Sequence, residues 1–217
     1  MNDPLNTYYR GRLEQTAKAL QKNQFDAHVF DTVQDAQDFL LNTIIPTSKP
    51  KSIAFGGSTT LVSTGMFDAI KKVEGTEILD TYDPSVPRDE FIERRRQALL
   101  SDLFVTSTNA VSEDGALINL DGTGNRVAAI AFGPKQVVIV AGRNKLVSDT
   151  HAGLDRVTEI AAPVNAMRLD RKTPCTKTLH CEDCSSPERI CNVWTISVKS
   201  SPPKRIIVLL VNEDIGF

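Results

Sequence analysis

The sequence predicts an α/β fold: a mostly parallel sheet with flanking helices, an antiparallel hairpin section, and a C-terminal cysteine loop. Three observations predict it. Strand-like and helix-like segments alternate over the first half of the chain, the pattern of a sheet covered on both faces. Residues 204–211, KRIIVLLV, form an apolar run suited to a strand buried on both sides. All four cysteines lie in one stretch, TPCTKTLHCEDCSSPERIC, residues 173–191.

Leu5, Tyr8, Tyr9, Leu13, Ala17 and Leu20 recur at helical intervals, so residues 5–24 read as a helix capped by Asn6 or Thr7. Val33, Ala36, Phe39 and Leu40 share a face of a second helix, residues 33–45, expected to stop before Pro46. SIAFGGSTT then gives a strand at 52–55, a turn at Gly56-Gly57, and a helix starting at Ser58-Thr59-Thr60 and running to Lys72. A strand at 77–79, a loop with two prolines, a charged helix at 88–100 and a strand at 103–106 follow. VSEDGALINLD, residues 111–121, is a hairpin with a Glu-Asp-Gly turn. Residues 126–132 and 136–141 read as two strands joined by Gly133-Pro134-Lys135. Helical text resumes at 147–160 and 163–169, before the cysteine loop and the final strand.

At roughly 100–200 residues per domain, a chain of 217 residues with no linker reads as a single domain, 1–217, with the cysteine loop at 173–192 included. Basic and acidic residues number 25 and 27, and the net charge of -2 leaves no nucleic-acid footprint. Arg94, Arg95 and Arg96 read as a solvated helix face, offset by Asp89, Glu90 and Glu93. No apolar stretch approaches the ~18 residues of a membrane span, and the N-terminus has no apolar signal core. The expectation is a cytoplasmic protein without a membrane partner. In a reducing compartment, four clustered cysteines point to metal rather than disulfides.

Three places could carry chemistry. In FGGSTT, Gly56 and Gly57 permit close backbone approach, and Ser58, Thr59 and Thr60 add hydroxyls, which suits a phosphate or carboxylate. A plain strand-to-helix turn with a serine cap explains the same residues. The second place is residues 106–134, whose polar turn residues include Asn109, Glu113, Asn119, Asp121, Asn125 and Arg126. Simple turn chemistry accounts for such residues. The functional alternative puts Glu113 and Arg126 on one cleft at the carboxyl ends of the strands, Glu113 as base or nucleophile and Arg126 as an anion grip. Gly57, Ser58 and Thr59 would hold an anionic group there, oriented by Asn125 and Arg126.

The third place is the C-x5-C-x2-C-x6-C run of Cys175, Cys181, Cys184 and Cys191. Four thiolates satisfy a tetrahedral zinc or a four-cysteine iron–sulfur cluster. One short pair, with all four ligands inside 17 residues, suits a loop wrapped round a cuboidal 4Fe-4S cluster, with zinc or metal-free thiols as the alternatives. His180 reads as a solvated neighbour.

The segments TSTNAVSEDGALINLDGTGNRVAAIAFGPKQVVIVAGRNKLV, AAPVNAMRL, TPCTKTLHCEDCSSPERICN and LLVNEDIGF, in that order, resemble the LUD-domain (lactate-utilisation) family across residues 8–217. The resemblance implies a fold similar to the sugar-phosphate isomerase and coenzyme A transferase superfamily, whose phosphate-binding turn GGSTT resembles. It implies a redox or electron-transfer role in organic-acid, lactate-like utilisation, with a redox partner protein. Many family members lack the cysteine run, so the chain resembles a cysteine-bearing subgroup of small single-domain members. Glu113-Asp114-Gly115 is similar to the Glu-x-Gly turn that carries the nucleophile of the coenzyme A transferases. Two other functions stay open: a zinc-stabilised, non-catalytic binding subunit of an oxidoreductase complex, and an isomerase or acyl transferase with Glu113 at its centre. The expected partners are a small anionic organic acid or phosphorylated ligand, a redox protein, and a second copy of the chain.

Overall fold

The computed structural model describes residues 3–83 and 85–217. Helix α1 (Pro4–Lys22) starts earlier than expected: Asp3 is its cap and accepts from the Leu5 amide at 3.0 Å. Pro4 sits in the first turn, where a missing N–H costs nothing. Strand β1 (Asp26–Phe30) follows, then α2 (Val33–Phe39), which opens on a reciprocal Thr32–Asp35 capping box. The expected stop before Pro46 does not occur. The helix widens into a π turn over Leu40–Ile44 and continues as α3 (Ile45–Ser48), with Pro46 in its first turn.

After β2 (Ser52–Phe55), the helix expected to reach Lys72 is divided into α4 (Thr59–Ser63) and α5 (Met66–Lys71). The break is Gly65, whose φ of 73° is the left-handed region that glycine enters without strain. Next come β3 (Glu77–Leu79), α6 (Arg88–Gln97), β4 (Leu103–Thr106), and the hairpin strands β5 (Ala110–Ser112) and β6 (Leu117–Asp121). The segment expected as a strand at 126–132 is instead helix α7 (Asn125–Ala131), which buries Val127, Ala129 and Ile130. An apolar run of six, VAAIAF, has no period to separate helix from strand, and its alanines favour the helix. Then follow β7 (Gln136–Gly142), β8 (Leu146–Val147), α8 (Thr150–Arg156) and α9 (Ala162–Arg168). A second π turn, Val157–Ala161, joins α8 to α9 and again places a proline, Pro163, in the next first turn. The chain closes with a one-turn helix α10 (Cys175–Thr178), β9 (Val193–Ser197) and β10 (Ile206–Val211).

Six strands form one sheet in the order β1-β10-β7-β4-β2-β3, and every pair is parallel. A second sheet, β8-β5-β6-β9, carries the antiparallel hairpin. Alternate residues of the main strands feed two cores. Ala54, Phe104, Val137, Ile139, Val208 and Leu210 pack under α1 and α7. Ile53, Phe55, Leu103, Val105, Val138 and Leu209 pack under α2, α4 and α5. Each such Val, Leu, Ile or Phe side chain contributes about 1.5–3 kcal/mol by leaving water. A third, smaller core lies between the second sheet and the α8–α9 helix.

Candidate functional site

The chain leaves β2 outward to β3, but from β4 it runs the other way, to β7 and β10. The loops after β2 and β4 therefore part at their carboxyl ends, and such a point opens a crevice in α/β sheets. A cleft of about 270 Å³ lies there. Its walls are the glycine turn, the loop after β4, the turn after β6, Lys145 and one side of α9.

Gly56 does not line the cleft. A Cβ there would stand 2.4 Å from Thr106 Oγ1 and 3.0 Å from Arg126 Cγ, so glycine lets the β2 and β4 loops close together. Gly57 lines the cleft under Tyr82, whose hydroxyl would be 2.5 Å from an added Cβ. The Ser58 hydroxyl accepts from the Leu61 amide at 3.2 Å, the plain capping role. Thr59 and Thr60 both line the cleft, and Thr60 is buried.

Arg126 is on the cleft wall, but its donors are spent within the protein. Nη1 donates to Ser107 O and Asn119 Oδ1, and Nη2 to Asn109 Oδ1 and Leu120 O. Nε lies 3.7 Å from Asp121 Oδ2. Arg126 thus stitches the loop after β4 to the second sheet and gives the cleft a positive field rather than a free fork. Asn125 lines the cleft beside it and accepts from the Thr123 hydroxyl at 2.5 Å.

Glu113 does not join them. Its carboxylate, at the hairpin turn, accepts from Arg12 Nε at 2.5 Å on α1 and is not among the lining residues. The expected Glu113–Arg126 cleft is corrected accordingly: the hairpin's length carries its turn to α1, and the carboxylate in the cleft is Asp121. Arg95 is also not the solvated residue expected. It stacks 4.2 Å from the Phe91 ring centroid and lines the cleft.

Lys145 was not singled out by the sequence. Only 2% exposed, it donates from Nζ to Thr60 Oγ1 at 2.8 Å, Ser107 Oγ at 2.9 Å and Thr108 O at 3.3 Å. Burial, with help from Arg156 and Arg126, pulls its pKa down to about 7. The one legible signal was position: a lysine three residues past the apolar strand VVIVAG, at the carboxyl end where such sheets bind ligands.

The four cysteines are free thiols and all border one small apolar pocket, floored by Ala162, Pro163 and Ala166 of α9. Burial pushes the Cys191 thiol up to about 11; Arg189 opposes this, and the other three sulfurs reinforce it. The Asp183 amide donates to Cys181 Sγ at 3.4 Å, and Arg189 ties the loop by donating to Cys184 O and Cys191 O. His180 is turned out, with 68% of its side chain exposed. The donor set is therefore four thiols in apolar walls, which fits a thiolate-bound metal. Among the described residues, no group of three or more Cys, His, Asp or Glu side chains is drawn together round a single ion. The pocket they border is small, about 20 Å³, and the 179–186 limb beside it is mostly exposed.

The loop and the cleft meet. Ile190 lines both, and Asn192 donates from its backbone to Asp121 O and from its side chain to Gly122 O. No helix among the described residues is long and apolar enough to cross a membrane.

A family model described as the LUD domain matches residues 13–211. Among solved structures, a DUF162-family protein from Deinococcus radiodurans superposes with a TM-score of 0.51 at 14% identity, over 94% of this chain and 98% of that one. At that identity the likeness shows the fold. No curated protein matches.

Proposed function

The chain belongs to the LUD-domain family, which is linked to lactate utilisation, and on that premise we propose a redox role in organic-acid utilisation, with a four-cysteine iron–sulfur cluster beside a cleft for a small carboxylate or phosphate anion. The shared wall carries this reading. Helix α9 turns Ala162, Pro163 and Ala166 to the sulfurs, and Asn165 and Arg168 to the cleft. A ligand and a redox group held there would be separated by one helix.

Cys175, Cys181, Cys184 and Cys191 would hold the cluster, and it would supply electron transfer or an iron able to take a carboxylate oxygen. The chain's own residues do the rest. Lys145, Arg126 and Arg168 give the cleft a positive field, strengthened by low-dielectric walls. Thr59 and Asn125 offer polar groups that orient the ligand. A redox partner protein belongs to the same reading.

Anaerobic purification, an absorption spectrum and elemental analysis test it. The expected result is a broad shoulder near roughly 400 nm with about four irons and four sulfides per chain. A colourless protein with about one zinc per chain would replace the cluster by the second reading, a closed structural site in a non-catalytic subunit.

A further inference from the structure

Two buried cations, Lys145 and Arg126, line the cleft with one side-chain carboxylate, Asp121, which already faces Arg126, and a third buried cation, Arg156, donates to Asn109 O and Asn144 O nearby. Among the described residues, Lys145 has no acidic side chain as a hydrogen-bond or ion-pair partner. The elements packed around it present Thr60 from α4, Ser107 and Thr108 from the loop after β4, Arg126 from α7 and Arg156 from α8. On its own segment, Arg143 is paired with Asp214 at 3.1 Å. The charges that act on the amine, Arg156 and Arg126, are both positive. Further out, Arg95, Arg168 and Arg171 add more positive charge to the cleft.

Resting on the anionic-ligand reading above, we propose that Lys145 is the specificity-determining group of the cleft: entry of a small anion is coupled to uptake of one proton by its amine. The surroundings suit both states. Hydroxyls of Thr60 and Ser107 accept from an ammonium, and either can rotate to donate to the lone pair of a neutral amine. In the free protein, burial and two arginines disfavour the charge; a bound anion supplies the missing negative partner and reverses that balance. The step is a protonation alone: water or buffer gives the proton, and no covalent bond to the ligand forms. The cleft thereby rejects neutral compounds, since only an anion offsets the charge it gathers.

Sulfate is the probe, because it keeps its charge across the range. Calorimetric titration of the whole protein in buffers of unlike ionisation enthalpy, between about pH 6 and 9, should show close to one proton taken up per sulfate at the alkaline end, and affinity falling about tenfold per pH unit there. Lys145→Arg should bind sulfate with no proton uptake and a flat profile. Wild-type binding that is flat with pH, or equal uptake in Lys145→Arg, would overturn the proposal while leaving the anion cleft standing. No sulfate binding at any pH would overturn both. Independently of any ligand, the Lys145 ε-carbon resonance should titrate near neutrality and move upward with sulfate; titration in the ordinary lysine range overturns the proposal alone.

Discussion

The cleft floor and the cysteine loop each hang on an arginine that donates to backbone carbonyls, and the two arginines work differently. Arg126 is 8% exposed and ties together Ser107, Asn109, Asn119 and Leu120, brought from separate strands and loops. Arg189 keeps 29% of its side chain exposed and ties Cys184 to Cys191, its own near neighbours. Within 173–191 the described backbone bonds are local as well, such as Leu179 N to Cys175 O and Arg189 N to Ser186 O. The cleft is therefore set by the whole fold and is preorganised before any ligand arrives. The loop is set by its own few residues, and on the proposed reading its order would depend on what the sulfurs hold.

The largest effect should follow from cutting the cleft's arginine. Arg126→Met strands Asn119, Asn109 and two carbonyls in the interior, so unfolding free energy should fall by about 3–5 kcal/mol. Denaturant melts of the metal-free protein measure it. Arg189→Gln should change the same melt by less than about 1 kcal/mol, because its partners stay near water. Equal losses in the two variants would erase the contrast.

Next in size is a pH effect. The folded value of Lys145, about 7, lies below the ordinary 10.5, so between these limits the unfolded chain holds a proton that the folded one lacks. Stability should therefore rise with pH through that window, by about 2 kcal/mol from pH 7 to pH 9 for this one group. Lys145→Met should remove the rise, and the difference between the two stability–pH curves isolates it from the cysteines and tyrosines. Below pH 7 both states are protonated, and the two curves should run parallel.

A smaller loss, about 1–3 kcal/mol, is expected for Gly56→Ala, whose methyl would push on Thr106 where the loops after β2 and β4 close. Gly11→Ala is the control, with nothing within 4 Å of its added Cβ.

The contrast also explains what could be read in the sequence. The gathering of the four cysteines round one pocket was legible, because a cluster built from near neighbours is written as a local spacing. So were β2, β4 and β10, whose apolar runs are buried by composition alone. Lys145 was not legible: its burial comes from residues 60, 107, 108, 126 and 156, and no window of sequence holds them together. Glu113 failed for the same reason in reverse. Its turn motif was plain, but only the register of the hairpin against α1 decides that it meets Arg12. β1 and β9 escaped because Asp26, His28 and Thr195 break up their apolar text, and pairing with β10 and β6 makes them strands.

The smallest stability change should come from the residue with the largest effect on loading. Cys181 is exposed, and among the described residues its sulfur receives only the Asp183 amide, at 3.4 Å. Cys181→Ser should leave the metal-free melt within about 0.5 kcal/mol of wild type. Iron or zinc retained after loading should nevertheless drop to background, because three thiolates leave a coordination position open to water and exchange. Protease digestion adds the structural readout: loaded wild type should resist cleavage between residues 179 and 186, and loaded Cys181→Ser should be cut there as fast as metal-free protein. The cleft should not notice, and sulfate affinity should be the same in both. If Cys181→Ser instead destabilised the metal-free chain as deeply as Arg126→Met, the loop would be part of the folded core in its own right, and the sulfurs would not be waiting on a ligand to order it.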